Sequence, residues 1–423
     1  MKVSDFVVEQ SIDDGEYILY STITRKYFKY CDNNQEYIKG LLNNLNKDNY
    51  SLEEVSIIKN LYSKGIIIDD SLDEIEYLRI EENKRRHQDS ILRMTIFLTE
   101  ACNFRCVYCT QKHINKRIDN ETIDNIIQLI KKESEKRREI RINWFGGEPL
   151  LEFDVICNIL KNVLPVCKKN GCILNSSMTT NGYLLDEERV IALRNLGVRT
   201  LQITVDGNKN IHDKRRVLAN GEGTYDKVLK GIELAAGNGL KIILRININS
   251  ENIGVKPQVL EDIDKSLREN IYISIANVFQ EKEKHSSFEI NKYACELGYK
   301  RCRRFNNFYG CQACGANSVT IDTDGKILFC SNSEDLESIG SLEKFGQIIY
   351  KNKQIHSQNI SKSLVNNEEC RNCKELPLCM GGCIRYNFLY DNKECRGKRV
   401  DGMSIEEVVY LDYYEDLLNN EEA

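Results

Sequence analysis

Thr99-Glu-Ala-Cys102-Asn-Phe-Arg-Cys106-Val-Tyr-Cys109 follows directly on the strand-like run Arg93 to Leu98. Its spacing, Cys-x3-Cys-x2-Cys, puts three thiolates on one loop at the end of a strand. Stable structural zinc sites usually close on four ligands, whereas a cubane iron-sulfur cluster takes one ligand per iron, so three thiolates leave one iron open. Zinc completed by His113 or by a distant cysteine is the alternative on this stretch alone. The chain has 17 cysteines, and its start, MKVSDFVVEQ, lacks the basic segment leading into an apolar run that marks export. The expectation is a cytoplasmic protein, in which clustered cysteines point to metal or redox chemistry rather than disulfides.

Outward from this loop, strand-like and helix-like segments alternate from Ile91 to about Gln280, the pattern of parallel βα units. Candidate strands are Arg93 to Leu98, Ile140 to Trp144, Ile173 to Thr179, Thr200 to Val205, Lys241 to Asn247 and Tyr272 to Val278. Helices are expected at Asn120 to Arg137, Asp186 to Asn195 and Thr224 to Asn238. Six units predict an α/β fold, a partial (β/α)6 barrel over 91–285, with chemistry gathered where strands meet the loops that follow them. Each of the first four strands ends in a distinctive loop. The second carries Trp144-Phe-Gly146-Gly147-Glu148-Pro149, and the third Thr179-Thr180-Asn181-Gly182. The fourth carries Thr204-Val205-Asp206-Gly207, then His212-Asp213 and Arg216. Asn181 and Asp206 each precede a glycine and read equally well as turn residues.

The flanks differ in kind. Residues 1–75 read as strands (Glu16 to Thr22, Lys26 to Tyr30), two helices (near Glu36 to Asn46, and from a Ser51 cap to Gly65) and a short strand at Ile66 to Ile68. The charged stretch from Ser71, with 76–90 as linker, is a linking helix or exposed connector. Beyond Lys300 regular periodicity fades: nine cysteines lie between Cys302 and Cys395, with one clear hairpin, Ser318 to Phe329, around Asp322-Thr-Asp-Gly325. A C-terminal unit, 401–423, holds an amphipathic helix from Ser404 to Asn419. At 423 residues, 41% hydrophobic and 29% charged, the chain has ample core and is neither disordered nor membrane-embedded. No apolar run approaches membrane-spanning length. A net charge of −5 disfavours a nucleic-acid partner.

The cysteine trio, with Tyr108 before its last member, and the ordered Gly146-Gly147-Glu148-Pro149 loop resemble the radical S-adenosylmethionine (SAM) enzymes. The resemblance implies a [4Fe-4S] cluster on Cys102, Cys106 and Cys109, whose open iron chelates the amino and carboxylate groups of SAM. It places Tyr108, Gly146, Gly147, Glu148, Asn181, Thr204 and Arg216 at the SAM pocket. One electron entering the sulfonium then yields methionine and a 5′-deoxyadenosyl radical that abstracts hydrogen from carbon; the protein positions the reacting atoms and excludes water.

Cys370-x2-Cys373-x5-Cys379-x3-Cys383, followed by Cys395 and preceded by Cys314 and Cys330, resembles the SPASM domain of such enzymes, here over 300–400. The family's interleaved ligation implies one auxiliary [4Fe-4S] cluster on Cys311, Cys314, Cys330 and Cys383, and a second on Cys370, Cys373, Cys379 and Cys395. Cys31, Cys157, Cys167, Cys172, Cys295 and Cys302 are then left over, Cys302 being a substitute for Cys311 if the loop folds differently. Paired zinc ribbons are the rival here, and whether the auxiliary clusters relay electrons or offer an open iron stays undecided. In anaerobic sulfatase-maturating relatives an aspartate follows the cysteine equivalent to Cys330; here it is Ser331, with Glu334 and Asp335 the nearest acids. The N-terminal order resembles the winged-helix recognition element that binds leader peptides of ribosomally made precursors, with a structural cap as the alternative.

Together these resemblances imply a peptide maturase with three [4Fe-4S] clusters and SAM, a precursor peptide as partner and a ferredoxin or flavodoxin as electron donor. A thioether from cysteine sulfur to carbon is the first expectation for its product and a carbon-carbon link the second. Formylglycine formation in a sulfatase and a non-catalytic metal-binding peptide scaffold are the rivals.

Overall fold

The structure, a computed structural model, describes residues 1–12, 15–281, 283–302, 313, 315–332, 338–351, 354, 356–357, 360, 365, 368–380 and 401–421. Its first strands are β1 (Lys2–Val3), β2 (Val7–Ser11), β3 (Glu16–Ser21) and β4 (Tyr27–Cys31). Sheet order β2-β3-β4 is antiparallel, and β1 pairs instead with β5 (Ile67–Ile68). The first two strands escape the sequence reading because β1 is two residues long and β2 is half polar. Between β4 and β5 lie helices Gln35–Asn43 and Leu52–Ser63. The second opens on the expected cap: Ser51 Oγ accepts from Glu54 N while the Glu54 side chain accepts from Ser51 N, a reciprocal arrangement whose cap contributes about 1 kcal/mol.

The charged connector is the helix Glu74–Arg86, and it is not simply exposed. Leu78 packs on the main core, and the Glu82–Arg86 ion pair, one turn apart at 2.7 Å, is buried.

All six expected parallel strands are present: β6 (Ile91–Phe97), β8 (Glu139–Phe145), β9 (Ile173–Thr180), β10 (Val198–Thr204), β12 (Lys241–Ile248) and β13 (Ile271–Asn277). Two short strands, β7 (Phe104–Cys106) and β11 (Arg216–Leu218), form a separate antiparallel pair. Strand order in the large sheet follows chain order from β6 to β13. Right-handed crossovers that all step the same way put every helix on one face. That face is apolar: Ile140, Ile142 and Trp144 are fully buried, whereas Arg141, Asn143 and Phe145, their alternates, are not. The inner face is therefore the one left for a ligand, and it is rich in polar groups.

The sheet does not close on itself. β14 (Lys300–Arg301) extends it beyond β13, and β15 (Ser318–Ile321) pairs in parallel with β6. β16 (Lys326–Leu328), β17 (Gly340–Glu343) and β18 (Gln347–Tyr350) continue it as an antiparallel meander. The predicted hairpin is thus β15-β16, and its turn reaches back to the cysteine loop: Lys116 Nζ lies 2.6 Å from Asp324 Oδ2, and Thr323 Oγ1 3.2 Å from Glu100 Oε1.

The C-terminal helix, Ile405–Glu421, is buried on two sides rather than one. Val409 and Tyr413 pack with Tyr20 and Ile18 of the N-terminal sheet, while Val408 and Leu411 pack with Met403 and Phe288. Arg301 donates to Asp412 (2.8 Å) and Glu415 (3.0 Å) of this helix, and Tyr20 donates to Asp412 (2.6 Å). One buried polar network so ties the N-terminal sheet, the parallel sheet and the last helix. No helix among the described residues is long and apolar enough to cross a membrane.

Candidate active site

The cysteine loop leaves β6 and returns through β7, whose antiparallel partner β11 sets Arg216 opposite Cys106. The Gly146-Gly147-Glu148 loop lies directly on it. Gly147 N donates to Thr99 O (2.8 Å) and Glu148 N to Ala101 O (2.9 Å). A Cβ on Gly147 would stand 2.1 Å from Ala101 O; on Gly146, whose φ is +141°, it would stand 2.4 Å from Thr99 O. Glycine is needed at both positions because two backbones meet there. Read from the sequence, these glycines admit a ligand; the atoms that crowd them belong to the cysteine loop itself.

Glu148 is fully buried and acts as a clip. Its carboxylate accepts from Leu150 N (3.0 Å), Thr180 Oγ1 (2.6 Å) and Asn181 N (2.7 Å). Burial pushes this carboxyl group upward, against donors that favour its ionised form. Asn181 passes the constraint on: its Nδ2 donates to Asn103 Oδ1 (2.8 Å) and lies 3.9 Å from Cys102 Sγ, while its Oδ1 accepts from Tyr183 N (3.0 Å). It is both a turn residue and a contact of the cysteine loop.

On the other side, the Tyr108 hydroxyl is a hub. It donates to Asp206 Oδ2 (2.5 Å) and accepts from Arg216 Nη1 (2.9 Å) and Asn247 Nδ2 (3.2 Å). Asp206 also accepts from Asn247 N (3.1 Å), and its carboxylate stands 3.4 Å from Arg215 Nε. Burial first, and then Asp206, raise the Tyr108 phenol. Burial works against the charge on Arg216, but Tyr108, Cys106 and Asp206 outweigh it and hold the guanidinium cationic. Among the described residues, Arg216 Nε and Arg215 Nη2 are buried without a hydrogen-bond partner. Thr204 is half-buried opposite Arg245 in the β10–β12 register.

Arg215, Asn247 and Gln280, whose Nε2 donates to Tyr108 O (2.8 Å), were not singled out by the sequence. Asn247 had a signal: in Lys241-Ile-Ile-Leu-Arg-Ile-Asn247 the polar Arg245 and Asn247 recur two apart, on one face at the strand's functional end.

His212 is fixed as one tautomer. Its Nδ1 accepts from Asp206 N (3.2 Å), so Nε2 carries the proton toward Thr224 Oγ1 (3.0 Å), which donates to Arg216 O (2.6 Å). Burial, then Arg216 and Arg215, depress the imidazole to about 2.

Cys102 and Cys106 are half-buried against the main core and Cys109 is exposed, and none of the three is in a disulfide. Burial pushes Cys102 up to about 12 and moves Cys106 the same way. Phe104 N points at Cys102 Sγ (3.4 Å). Among the described residues no three His, Cys, Asp or Glu side chains converge as a single ion demands. Thiolates that each take a different iron of a cubane have no need to.

Of the other predicted ligands, Cys330 and Cys370 pack on the same core, Cys373 is exposed, and Cys379 closes a helical turn, Leu376–Cys379. Ser331 is half-buried beside Cys330. Cys311, Cys314, Cys383 and Cys395 lie outside the described residues, as do Glu334 and Asp335.

Residues 96–269 match the Radical SAM superfamily. The chain is 24% identical over 375 residues to the radical SAM cyclopropyl synthase TigE of Paramaledivibacter caminithermalis, covering 78% of this chain and 76% of that protein. Its fold is similar to native anSMEcpe with bound AdoMet and Cp18Cys peptide (TM-score 0.54, 18% identity, 78% of this chain and 98% of the other). It is also similar to Streptococcus suis SuiB bound to precursor peptide SuiA (TM-score 0.52, 16% identity, 93% and 97%). With three cysteines on one loop, a glycine-glycine-glutamate loop laid against them and a sheet wound in chain order beneath, residues 96–269 are similar to the enzymes of the radical SAM superfamily.

Proposed function

We propose that this enzyme is a peptide maturase that installs an intramolecular cross-link, a thioether from cysteine sulfur to carbon, in a ribosomally made precursor. The observation that carries the first half is the buried Nε of the Arg216 guanidinium, which has no hydrogen-bond partner among the described residues, beside the cysteine loop. A buried cation with an unpartnered donor fits a ligand that brings a carboxylate, and three thiols within the same loop fit a cluster with one iron left for that ligand. Cys102, Cys106 and Cys109 would hold the cluster, with Gly146, Gly147, Glu148, Asn181, Thr204, Tyr108 and Arg216 around the SAM site. Once bound, the pair supplies a 5′-deoxyadenosyl radical that takes a hydrogen atom from carbon.

The chain's own groups do the rest. Glu148 and Asn181 hold the cysteine loop in register with two neighbouring loops. Arg216, kept cationic by Tyr108 and Asp206, offers charge to a carboxylate. His212, neutral and locked, keeps the Asp206 turn and the Arg216 backbone in place. The polar inner face receives the substrate, and Ser331 stands directly after Cys330 where the sulfatase-maturating relatives carry an aspartate, which favours a cross-link over formylglycine formation.

A peptide substrate is supported by the extent of the similarity to SuiB, 93% of this chain, a structure bound to a precursor peptide. It is also supported by β4, an outer strand that among the described residues pairs with β3 alone, where an extended leader gains backbone hydrogen bonds and side-chain pockets. We assign residues 1–75 this recognition role and residues 300–400 two auxiliary [4Fe-4S] clusters.

The test is anaerobic reconstitution with iron and sulfide, metal analysis, and assay of 5′-deoxyadenosine. Three cubanes predict about twelve irons per chain, and replacing Cys102, Cys106 and Cys109 by alanine should remove about four of them and all SAM cleavage. SAM cleavage surviving in that variant would refute the assignment. Mass spectrometry of a cysteine-bearing peptide encoded beside the gene should show the loss of two hydrogens after incubation. Deleting residues 1–75 should weaken leader binding with SAM cleavage retained; unchanged binding would make that module a structural cap.

A further inference from the structure

The inner face of the six parallel strands, which the helices leave uncovered, carries four cations and one carboxylate: Arg93 on β6, Glu139 and Arg141 on β8, and Lys241 and Arg245 on β12. The chain as a whole has 64 acidic against 59 basic residues, so this face runs against the composition. Its exposure is graded. On β8 Arg141 is exposed while Asn143 and Phe145 are half-buried; on β9 Asn175 is exposed and Ser177 and Thr179 are half-buried. On β12 Lys241 is exposed and Ile243, Arg245 and Asn247 are half-buried. These strands thus line a cleft that opens to water at their N-terminal ends, away from the cysteine loop.

Two of the cations stand side by side at that opening. Arg93 and Arg141 are register partners on β6 and β8, and like charges so placed repel. Arg141 is neutralised: its Nε and Nη2 donate to the Glu139 carboxylate (2.9 Å each), which also accepts from Asn175 Nδ2 (2.6 Å). Arg93 makes no ion pair among the described residues, and its guanidinium has one hydrogen bond there, a long one to Gln88 Oε1 (3.4 Å). Burial, and then Arg141, work against its charge. On the other side of Arg93, its β15 partner Ser318 has a buried Oγ without a hydrogen-bond partner among the described residues. A cation short of an anion and a hydroxyl short of a partner are therefore neighbours in one row.

We propose that Arg93, with Ser318 and Arg141 at its sides, holds a carboxylate of the substrate peptide and so selects a peptide with an acidic group at a set distance from the residue it modifies; this deepens the maturase reading and rests on it. A planar guanidinium matches a carboxylate in two parallel hydrogen bonds, and a half-buried setting limits their screening by salt. The distance follows from strand geometry. Arg93 lies four residues before Phe97, the last of β6, and a strand rises about 3.3 Å per residue, so the guanidinium is rooted about 13 Å below the end that carries the cysteine loop. An extended peptide lying along the same face rises at the same pitch, which puts its carboxylate about four positions from the reacting residue. An Asp or Glu side chain and the peptide's own C-terminus offer the same chemistry there.

The test uses the full-length reconstituted enzyme and, as probe, the synthetic cysteine-bearing peptide encoded beside the gene. Further versions of the peptide replace each Asp or Glu in turn by Asn or Gln, and one ends in a C-terminal amide. Affinity is read by fluorescence anisotropy, and KM and kcat by mass spectrometry of the product, for wild type, Arg93→Gln, Arg93→Glu and Lys241→Gln. The last is the control, since it removes the same charge from the same face four strands away. Arg93→Gln should weaken binding and raise KM about tenfold with kcat within about twofold, and Lys241→Gln should shift neither by more than about twofold. One peptide version, altered about four positions from the modified residue, should show the same loss on the wild type and no further loss on Arg93→Gln. If that version is the amide, the anchored group is the chain end. Arg93→Glu should prefer a peptide with Lys at that position to the native one. Losses that add in full, an equal loss in Lys241→Gln, or a coupled carboxylate about ten or more positions away would overturn the proposal. A peptide modified equally well by wild type and Arg93→Gln would remove this proposal alone, whereas a peptide that the wild type neither binds nor modifies would remove the maturase reading with it.

Discussion

Replacing Gly147 by alanine tests the central packing claim of the site. The added Cβ would meet Ala101 O at 2.1 Å, Ala101 C at 2.5 Å and Glu100 O at 2.8 Å. All three are backbone atoms of the cysteine loop, so no side chain can rotate away. Restoring ordinary contact distances requires the two loops to part by about 1 Å, which also stretches the Gly147 N to Thr99 O and Glu148 N to Ala101 O bonds. Misplacement of reacting groups by that much lowers rates by about 100-fold. The strain itself should remove about 1–3 kcal/mol of stability. The assay is 5′-deoxyadenosine formation with dithionite as reductant, alongside iron content and thermal unfolding. Gly40→Ala is the control: within the helix Gln35–Asn43 its Cβ meets nothing within 4 Å, and it should raise stability by about 0.5–1 kcal/mol with turnover unchanged. Wild-type turnover and iron in Gly147→Ala would refute the close approach of the two loops, and with it the reason for glycine there.

Three further outcomes follow from buried polar groups. Arg301→Met removes the cation facing Asp412 and Glu415 and should destabilise the protein by about 3–5 kcal/mol in denaturant titrations; replacing Arg301, Asp412 and Glu415 together by apolar residues should restore most of that, and equal loss in both variants would count against the network. His212 has a folded-state value depressed to about 2, so below the unfolded value of 6.5 the unfolded chain binds a proton that the folded chain refuses. Stability is then full above pH 6.5 and falls as pH drops, by about 1.4 kcal/mol per pH unit from this group, a slope that His212→Asn should remove from pH-dependent unfolding curves. Glu148→Gln sets an NH2 against donors and should cost about 1–3 kcal/mol and slow SAM cleavage; a variant with unaltered thermal stability and turnover would show that the clip is dispensable.

The parallel strands were legible because most set buried apolar residues at alternate positions between polar turns, and the order of loops along the chain matched the order of strands in space. Ser51-Leu-Glu-Glu announced its helix through a cap that needs only neighbours in sequence. What stayed hidden depends on partners far away in the chain. β15 reads as one arm of a local hairpin, and nothing in Ser318–Ile321 says that its other edge belongs to β6. The helix Ile405–Glu421 carries apolar residues on more than one side because two different surfaces cover it, the N-terminal sheet and the Phe288 region, so a single-stripe pattern could not describe it. Charges in Glu74–Arg86 suggested solvent, yet Glu82 and Arg86 are buried as a pair, and pairing is invisible to composition.

The site divides along the same line. Cys102, Cys106, Cys109 and Gly146-Gly147-Glu148 stand out in the sequence because their spacing is fixed by one loop each, and loops of fixed length carry their geometry with them. The reason for that geometry was not readable. A Gly-Gly pair looks the same whether it makes room for a ligand or for another backbone, and the close approach of Ala101 O is not legible in it. Likewise Tyr108 attracts notice as the aromatic residue before Cys109, whereas the hydroxyl's three partners come from residues 206, 216 and 247. The cysteine loop is therefore held by side chains from the loop after β10 and from β11 and β12, as well as by its own strand. It follows that substitutions at Asp206 or Asn247, which are not cluster ligands in this assignment, should disturb Tyr108 and the cysteine loop together, while truncations confined to the exposed Lys112 should leave both undisturbed.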